Sequence, residues 1–275
     1  MTRGFVIRRI VLYLMLGALA LTILYPVFWM AATSFRDNGS AIASPFGLDG
    51  HWSLDNYLSL IRDGQVLTWV ANSAIVDVLS VILIATLSAL GAYGFSAFDF
   101  RGKRTLFALL IIGLMVPPQA LVIAGYRWVS LLQISDSLLG LIVTYCGWTA
   151  FGILVMRNFF DSVPKDLSEA ALMDGASHFR IFFEILLPLA RPTVLTVVIF
   201  NVIWVWNDFI YPLVYIQSPQ LYTVPIGVLQ FAGRSTSQIA VQMAVLAVAT
   251  AIPLLVYMVF RKQFIRGVLE GAIKG

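Results

Sequence analysis

Six stretches of roughly 20 or more mostly apolar residues recur along this chain, and no other feature constrains its fold as tightly. They run from about Ile10 to Ala32, Thr68 to Ala97, Thr105 to Ala124, Leu138 to Met156, Thr193 to Ile216 and Ile239 to Phe260. At about 1.5 Å of rise per residue, each is long enough as a helix to cross a hydrocarbon core of about 30 Å. Hydrophobic residues make up 60% of the chain and charged ones 12%, half the roughly one-quarter of a soluble domain. Lipid offers no partner to a bare peptide group, so a spanning segment must satisfy its own backbone. The expectation is an all-α integral membrane protein with six transmembrane helices, forming one domain over residues 1–275. The first run is too long for the core of a signal peptide and no small-residue cleavage site follows it, so it is expected to be retained as a span. The single cysteine, Cys146, can form no disulfide within the chain.

Basic residues set the orientation. Fourteen of the 18 Lys and Arg residues fall in one set of segments: Arg3, Arg8, Arg9, Arg101, Lys103, Arg104, Arg157, Lys165, Arg180, Arg191, Arg261, Lys262, Arg266 and Lys274. Only Arg36, Arg62, Arg127 and Arg234 lie in the other. This split places both termini in the cytoplasm and accounts for the pI near 9.3 without invoking nucleic acid. Ala85, Ala89, Ala92 and Ser96 make a small-residue ridge that lets another helix approach. The prolines in "MVPPQA" (Met115 to Ala120) either break the third span or merely kink its end.

The cytoplasmic segment between spans 4 and 5, residues 157–192, contains "EAALMDGASHFRIFFEILLPLARP" from Glu169 to Pro192. Ser162–Val163–Pro164 starts a short helix over Leu167 to Met173, and Gly175 ends it, because glycine tolerates positive φ. Ser177 caps a second helix, in which Phe179, Phe182, Phe183, Leu186 and Leu187 fall at helical period. Pro188 and Pro192 mark the return to the fifth span. Two readings stand: an amphipathic helix resting on lipid, or a docking element for a protein cleft. Glu169, Asp174 and Glu184, together with the small residues Ala170, Ala171 and Ala176, favour docking.

The same 24 residues resemble, without a gap, the cytoplasmic "EAA" loop of ABC importer permeases: Glu169-Ala170-Ala171, then Asp174-Gly175-Ala176, then Pro188 and Pro192. The resemblance implies a coupling helix–turn–helix, with Glu169, Ala170, Ala171, Met173, Asp174, Gly175, Ala176, Phe179 and Arg180 facing an ATP-hydrolysing partner. "YPVFWMAATSFR" (Tyr25 to Arg36), "NSAIV" (Asn72 to Val76), "AYGFSAFDFRGKR" (Ala92 to Arg104), "WNDFIYPL" (Trp206 to Leu213) and "FIRGVLEGAIKG" (Phe264 to Gly275) resemble carbohydrate importer permeases, in particular the second permease of maltose-type importers. That family implies a second, unlike permease, two ATP-binding cassette subunits carrying ATP and magnesium, an extracytoplasmic solute-binding protein, a sugar substrate and a bacterial or archaeal plasma (inner) membrane. In its tail, residues 261–275, Gly271, Ala272, Lys274 and Gly275 would contact the ATPases; without the resemblance such a tail reads as disordered chain.

Trp204, Trp206, Asn207, Asp208 and Tyr211 cluster in the outer half of the fifth span, and Asp77 lies in the second. Aromatic faces and buried polar groups suit a solute pathway or gate; an outer aromatic belt is the other reading. Resemblance implies that the partner permease holds most sugar contacts, which favours gating or helix pairing. In the outer loop before the last span, Gln217, Pro219, Gln220, Gly233 and Arg234 would meet the binding protein by resemblance, or simply connect two helices. The outer loop from Thr33 to Gln65 is expected to touch the binding protein or the partner permease.

Other classes fit less well. No HExxH or GxSxG occurs, and His51 and His178 both lie in loops, so neither a metal site nor a membrane enzyme is expected. No GxxxxGK[S/T] occurs, so the chain would bind no nucleotide or other cofactor itself. An ion-coupled secondary transporter would have only Asp77 and Asp208 as coupling acids. Within the importer class, glycerol-3-phosphate or a glycerophosphodiester is the alternative to a sugar.

Overall fold

The computed structural model describes residues 3–234 and 238–272, with side chains for 8–233 and 238–260. Lys274 and Gly275 therefore lie outside the described residues, and Gly271, Ala272 and Arg234 outside the described side chains. The described chain is helical and has no β-strand beyond one isolated bridge between Arg36 and Trp52. Four helices are long and apolar enough to cross a membrane: α1 (Arg3–Ser34), α4 (Gln65–Ala97), α7 (Leu138–Ser162) and α13 (Ile239–Ala272). Six result if each of two bent helix pairs is one span. In α1 none of the most apolar window is buried within the chain. Such a helix is compatible with lipid or a partner chain around it, not with water. The protein is an all-α, multi-pass membrane protein.

Both bends follow from proline. The third span is α5 (Lys103–Met115) and α6 (Pro118–Leu131), set at 99°. Consecutive prolines remove two N–H donors and push Val116 out of the helical region, to φ −82° and ψ 120°. A break, not an end kink, is thus the outcome at Pro117–Pro118. The fifth span begins as α10 (Arg191–Asn207), which α9 (His178–Leu189) enters at 75°, just ahead of Pro192. Further on, the run expected to continue to Ile216 stops at Asn207 and resumes as α11 (Ile210–Tyr215). Pro212 explains this stop: its ring would collide with the carbonyl of residue 208, four positions back, if the helix ran through.

The chain gathers into two units. One holds residues 1–67 and 228–251. Within it α2 (Asn38–Ala43) and α3 (Asp55–Asp63) follow α1, and Arg36 is fully buried. Its guanidinium donates to the carbonyls of Ser40, Ser44 and Asp49 at 2.8–3.2 Å, closing the loop around one cation. In the same unit Asn38 Oδ1 accepts the backbone N–H of Ala240 near the start of α13.

The other unit holds residues 68–227 and 252–275, with α8 (Lys165–Met173) between α7 and α9. One of its apolar clusters joins Val76 and Ile84 of α4 to Tyr145 of α7, Val205 of α10 and Tyr211 of α11. A second joins Ala89, Ala92 and Tyr93 of α4 to Met156 and Phe160 of α7 and Ile181, Phe182 and Leu186 of α9. The small-residue ridge is used as expected, with Ala89 and Ala92 buried. Opposite Ser88, a Cβ on Gly152 would collide with the serine side chain, so glycine permits this approach of α4 and α7.

Candidate functional sites

The segment between α7 and α10 forms a helix, a glycine turn and a second helix. Pro164 precedes the first turn of α8. The far end closes as a Schellman motif: Ala176 N–H donates to Ala171 O at 2.9 Å, and Gly175 N–H to Leu172 O at 3.0 Å. Gly175 takes the left-handed conformation this requires, with φ +82°. Ser177 Oγ then accepts the N–H of Arg180, capping α9. The turn chemistry therefore agrees with the sequence at Gly175 and Ser177.

The apolar stripe does not hold as one face. Residues 181–186 wind as a π-helix, whose wider turn rotates successive side chains relative to the 3.6-residue period. Phe182 and Leu186 are buried, whereas Phe179 is 74% exposed and Phe183 faces outward, stacked on it at 6.3 Å. Ala171 and Ala176 pack inward against the second cluster, while Glu169, Ala170, Met173, Asp174 and Gly175 face outward. Arg180 and Glu184 form an exposed ion pair at 2.8 Å. The carboxylate raises the Arg180 pKa, but a pair this exposed contributes little to stability.

Sequence reasoning missed what holds this segment in place. Tyr93 sits between Phe160 and Phe182, with ring centroids at 6.2 and 5.1 Å. Its hydroxyl lies 3.2 Å from His178 Nδ1 and donates to the His178 carbonyl at 3.3 Å. Phe98 packs against the His178 ring at a tilt, with centroids at 4.8 Å. Ser96 Oγ donates to Asp161 at 2.7 Å, and Asp161 pairs with Arg157, whose guanidinium covers the Phe107 ring. The loop is thus keyed to α4 and α7, and α7 in turn to α5. A His flanked by aromatics in "ASHFRIFF" was the only available signal.

A second constellation gathers at the helix breaks. Tyr211 Oη donates to the Pro118 carbonyl at 2.7 Å, tying α11 to the unwound joint of the third span. Tyr145 Oη donates to Asp208 Oδ2 at 2.6 Å, at the gap between α10 and α11. Trp148 packs on both Tyr145 and Tyr211, at 4.8 and 5.9 Å, and Tyr215 on Tyr211. Gly125 leaves room for the Tyr215 hydroxyl, which a Cβ there would strike. The structure therefore brings Asp208 and Tyr211 together and adds Tyr145 and Trp148, which the polar interruption "TYCGW" in the fourth span could have flagged. Trp204 points away, its ring packed against Phe151 edge-on and Phe200 at a tilt. Asn207 turns back to its own helix, donating to Ile203 O, and Trp206 is buried. Asp77 is 94% buried and its Oδ1 has no hydrogen-bond partner among the described residues.

The segment after α11 is anchored by backbone. Asp136 accepts the N–H groups of Gln217 and Ser218 at 2.8 and 3.0 Å and the Ser218 hydroxyl at 2.5 Å. These bonds hold the Asp136 carboxyl below its ordinary pKa, the Ser218 hydroxyl contributing most. Asn72 Nδ2 donates to the carbonyls of Gln220 and Tyr222, and Pro219 opens a 3₁₀ turn between them. Gln217, Pro219 and Gln220 are therefore presented on a fixed frame; Gly233 lies exposed in α12 (Val224–Arg234). Among the described residues no cluster of His, Cys, Asp or Glu could hold a metal ion.

Residues 82–270 match the family described as binding-protein-dependent transport system inner membrane component. A probable ABC transporter permease protein of Bacillus subtilis is 31% identical over 93% of this chain and 85% of its own length. The diacetylchitobiose uptake system permease protein of Streptomyces coelicolor is 32% identical over 92% of this chain and 84% of its own. The maltodextrin transport system permease protein of Bacillus subtilis is 30% identical over 98% and 97%. Among solved structures, a bacterial ABC transporter involved in the import of the acidic polysaccharide alginate superposes with a TM-score of 0.85 at 24% identity, over 96% of this chain and 99% of that one. At that identity the likeness speaks for the fold alone.

Proposed function

Because the chain belongs to the binding-protein-dependent transport system inner membrane components, we propose that it is the permease subunit of an ATP-driven sugar importer, forming half of the solute pathway. Membership in this family leaves no place for the ion-coupled alternative. The sugar class is supported by relatives that serve diacetylchitobiose and maltodextrin uptake. In this reading the basic segments and both termini are cytoplasmic, and the chain works with a second permease, two ATPases and a solute-binding protein. ATP and magnesium belong to the ATPases, and this chain carries no cofactor.

The observation that carries the coupling role is the keyed loop. Met173 and Phe179 stand 88% and 74% exposed on a segment whose inner side is packed into α4 and α7 through Tyr93, Phe160 and Phe182. An exposed apolar pair on a stiff mount suits a cleft in an ATPase. Closure of the ATPases would push on residues 169–180 and move α4, α7 and α10 together, since cores transmit displacement without compressing. The pair of helix breaks joined by Tyr211 and Pro118 would then act as the gate. Backbone released from a helix within a membrane is tolerated where it lines a cavity or is buried in protein. Glu169→Lys tests the reading: exposed and reversed in charge, it should leave membrane insertion intact while abolishing uptake in vesicles carrying the whole transporter. Normal uptake would remove the coupling role.

A further inference from the structure

The loop that follows α1 carries an apolar surface that no described residue of its own unit covers. Leu54, which caps α3, and Leu58 and Ile61 within it recur at i, i+4 and i+7 and are 59%, 44% and 58% exposed. One position further round, Asp55, Ser59 and Arg62 form a polar face, also exposed. The remaining side is packed: Leu60 is buried, Asn56 donates to the carbonyls of Ser34 and Arg36 at 2.8 and 2.9 Å, and the Tyr57 and Ser34 hydroxyls meet at 2.7 Å. The helix thus has three sides: one against its own protein, one apolar and bare, one polar. A helix lying where protein, lipid and water meet needs this division, whereas a helix in water has no use for the bare apolar side.

A second bare apolar group in the same loop lies against the end of a spanning helix. Trp29, near the end of α1, donates from Nε1 to the Pro45 carbonyl at 2.5 Å and packs against Phe46 at 6.3 Å. Phe46 is 79% exposed, and Trp52, half exposed, donates to Leu48 O. Tryptophans with a satisfied N–H and a bare ring are typical of the membrane–water boundary. We propose that residues 46–61 form an interfacial anchor, with Phe46, Trp52, Leu54, Leu58 and Ile61 seated in the lipid at the end of α1. With the orientation proposed above this is the outer leaflet. Asp55 and Asp63 offset Arg62 on α3, so the anchor holds by apolar burial and not by attraction to anionic headgroups. Arg36 is its internal staple, since the loop bearing Phe46 and Trp52 closes on that buried guanidinium.

The test uses the whole transporter in vesicles of phosphatidylethanolamine and phosphatidylglycerol. Single spin labels are introduced by Leu54→Cys, Asp55→Cys, Leu58→Cys, Ser59→Cys and Ile61→Cys in a Cys146→Ala background. Positions 54, 58 and 61 are expected to be open to oxygen and shielded from a water-soluble nickel chelate, with 55 and 59 the reverse. The pattern should persist when the binding protein is added and when the phosphatidylglycerol fraction is varied. Nickel access at 54, 58 and 61 would overturn the proposal. So would shielding from both reagents, which would mean that the partner permease or the binding protein covers the face. The otherwise unaltered chain gives an independent reading: brominated lipid should quench its fluorescence less after Trp52→Phe, and unchanged quenching would count against the anchor.

Discussion

Tyr145 Oη donates to Asp208 Oδ2 at 2.6 Å, joining the middle of α7 to the gap between α10 and α11. Tyr145 is wholly buried, so no water replaces it if the bond is lost. Leaving a buried hydrogen-bonding group without its partner costs about 1–3 kcal/mol. Tyr145→Phe should therefore lower the stability of the detergent-solubilised transporter by about that much in denaturant unfolding. Asp208→Asn, which keeps an acceptor, should cost less. Equal losses in the two variants would show that the bond is not what holds this joint.

Gly175 has φ +82° and open space around the position of a Cβ. Gly175→Ala thus meets conformational strain but no collision, a cost of about 1–2 kcal/mol. Gly175→Pro also fixes φ near −65° and removes the N–H that Leu172 accepts. Vesicle uptake and co-purification of the ATPases should fall in the order native, Ala, Pro, with insertion unchanged throughout.

Tyr93 mounts the loop through its ring and its hydroxyl. Tyr93→Phe keeps the contacts with Phe160 and Phe182 and should transport nearly normally. Tyr93→Ala opens a cavity of the kind that costs about 3–5 kcal/mol and frees the loop from α4. ATP hydrolysis by the assembled transporter should then continue while uptake drops. Uptake and hydrolysis falling in step would instead mean a folding defect.

Asp136 makes the segment after α11 acid-sensitive. Its carboxyl is held below the ordinary carboxylate value by Ser218 and the two backbone N–H groups. A group whose folded pKa is depressed stabilises the fold above its unfolded pKa of about 3.9, and that stability is lost as pH falls through the folded value. Thermal midpoints recorded from pH 7 downward should decline below about pH 4. Asp136→Asn should lower the midpoint at neutral pH and flatten that acid limb.

Much of this fold was legible from the chain alone. Apolar runs place the spans because lipid demands them, and Gly175 and Ser177 announce their turn because few residues suit those positions. The end of the fifth span was not legible: Asp208 and Pro212 sit in a run whose hydropathy continues through them, and a proline by itself does not announce a stop, since α1 and α13 run through Pro26 and Pro253. The Phe179–Leu187 stripe misled for a related reason. It assumes 3.6 residues per turn, and the π-helical stretch over residues 181–186 does not keep that period.

The candidate sites divide the same way. Local chemistry determines what is short-range: helices, caps, breaks at Pro117–Pro118, and the charge asymmetry along the chain. Which side chains meet depends on tertiary packing. Tyr145 reaches Asp208 across 63 residues, Tyr93 reaches His178 across 85, and Tyr211 reaches Pro118 across 93. No period or motif encodes such pairs, because each exists only once several helices have been brought to the same depth and rotation by the volume of the side chains between them.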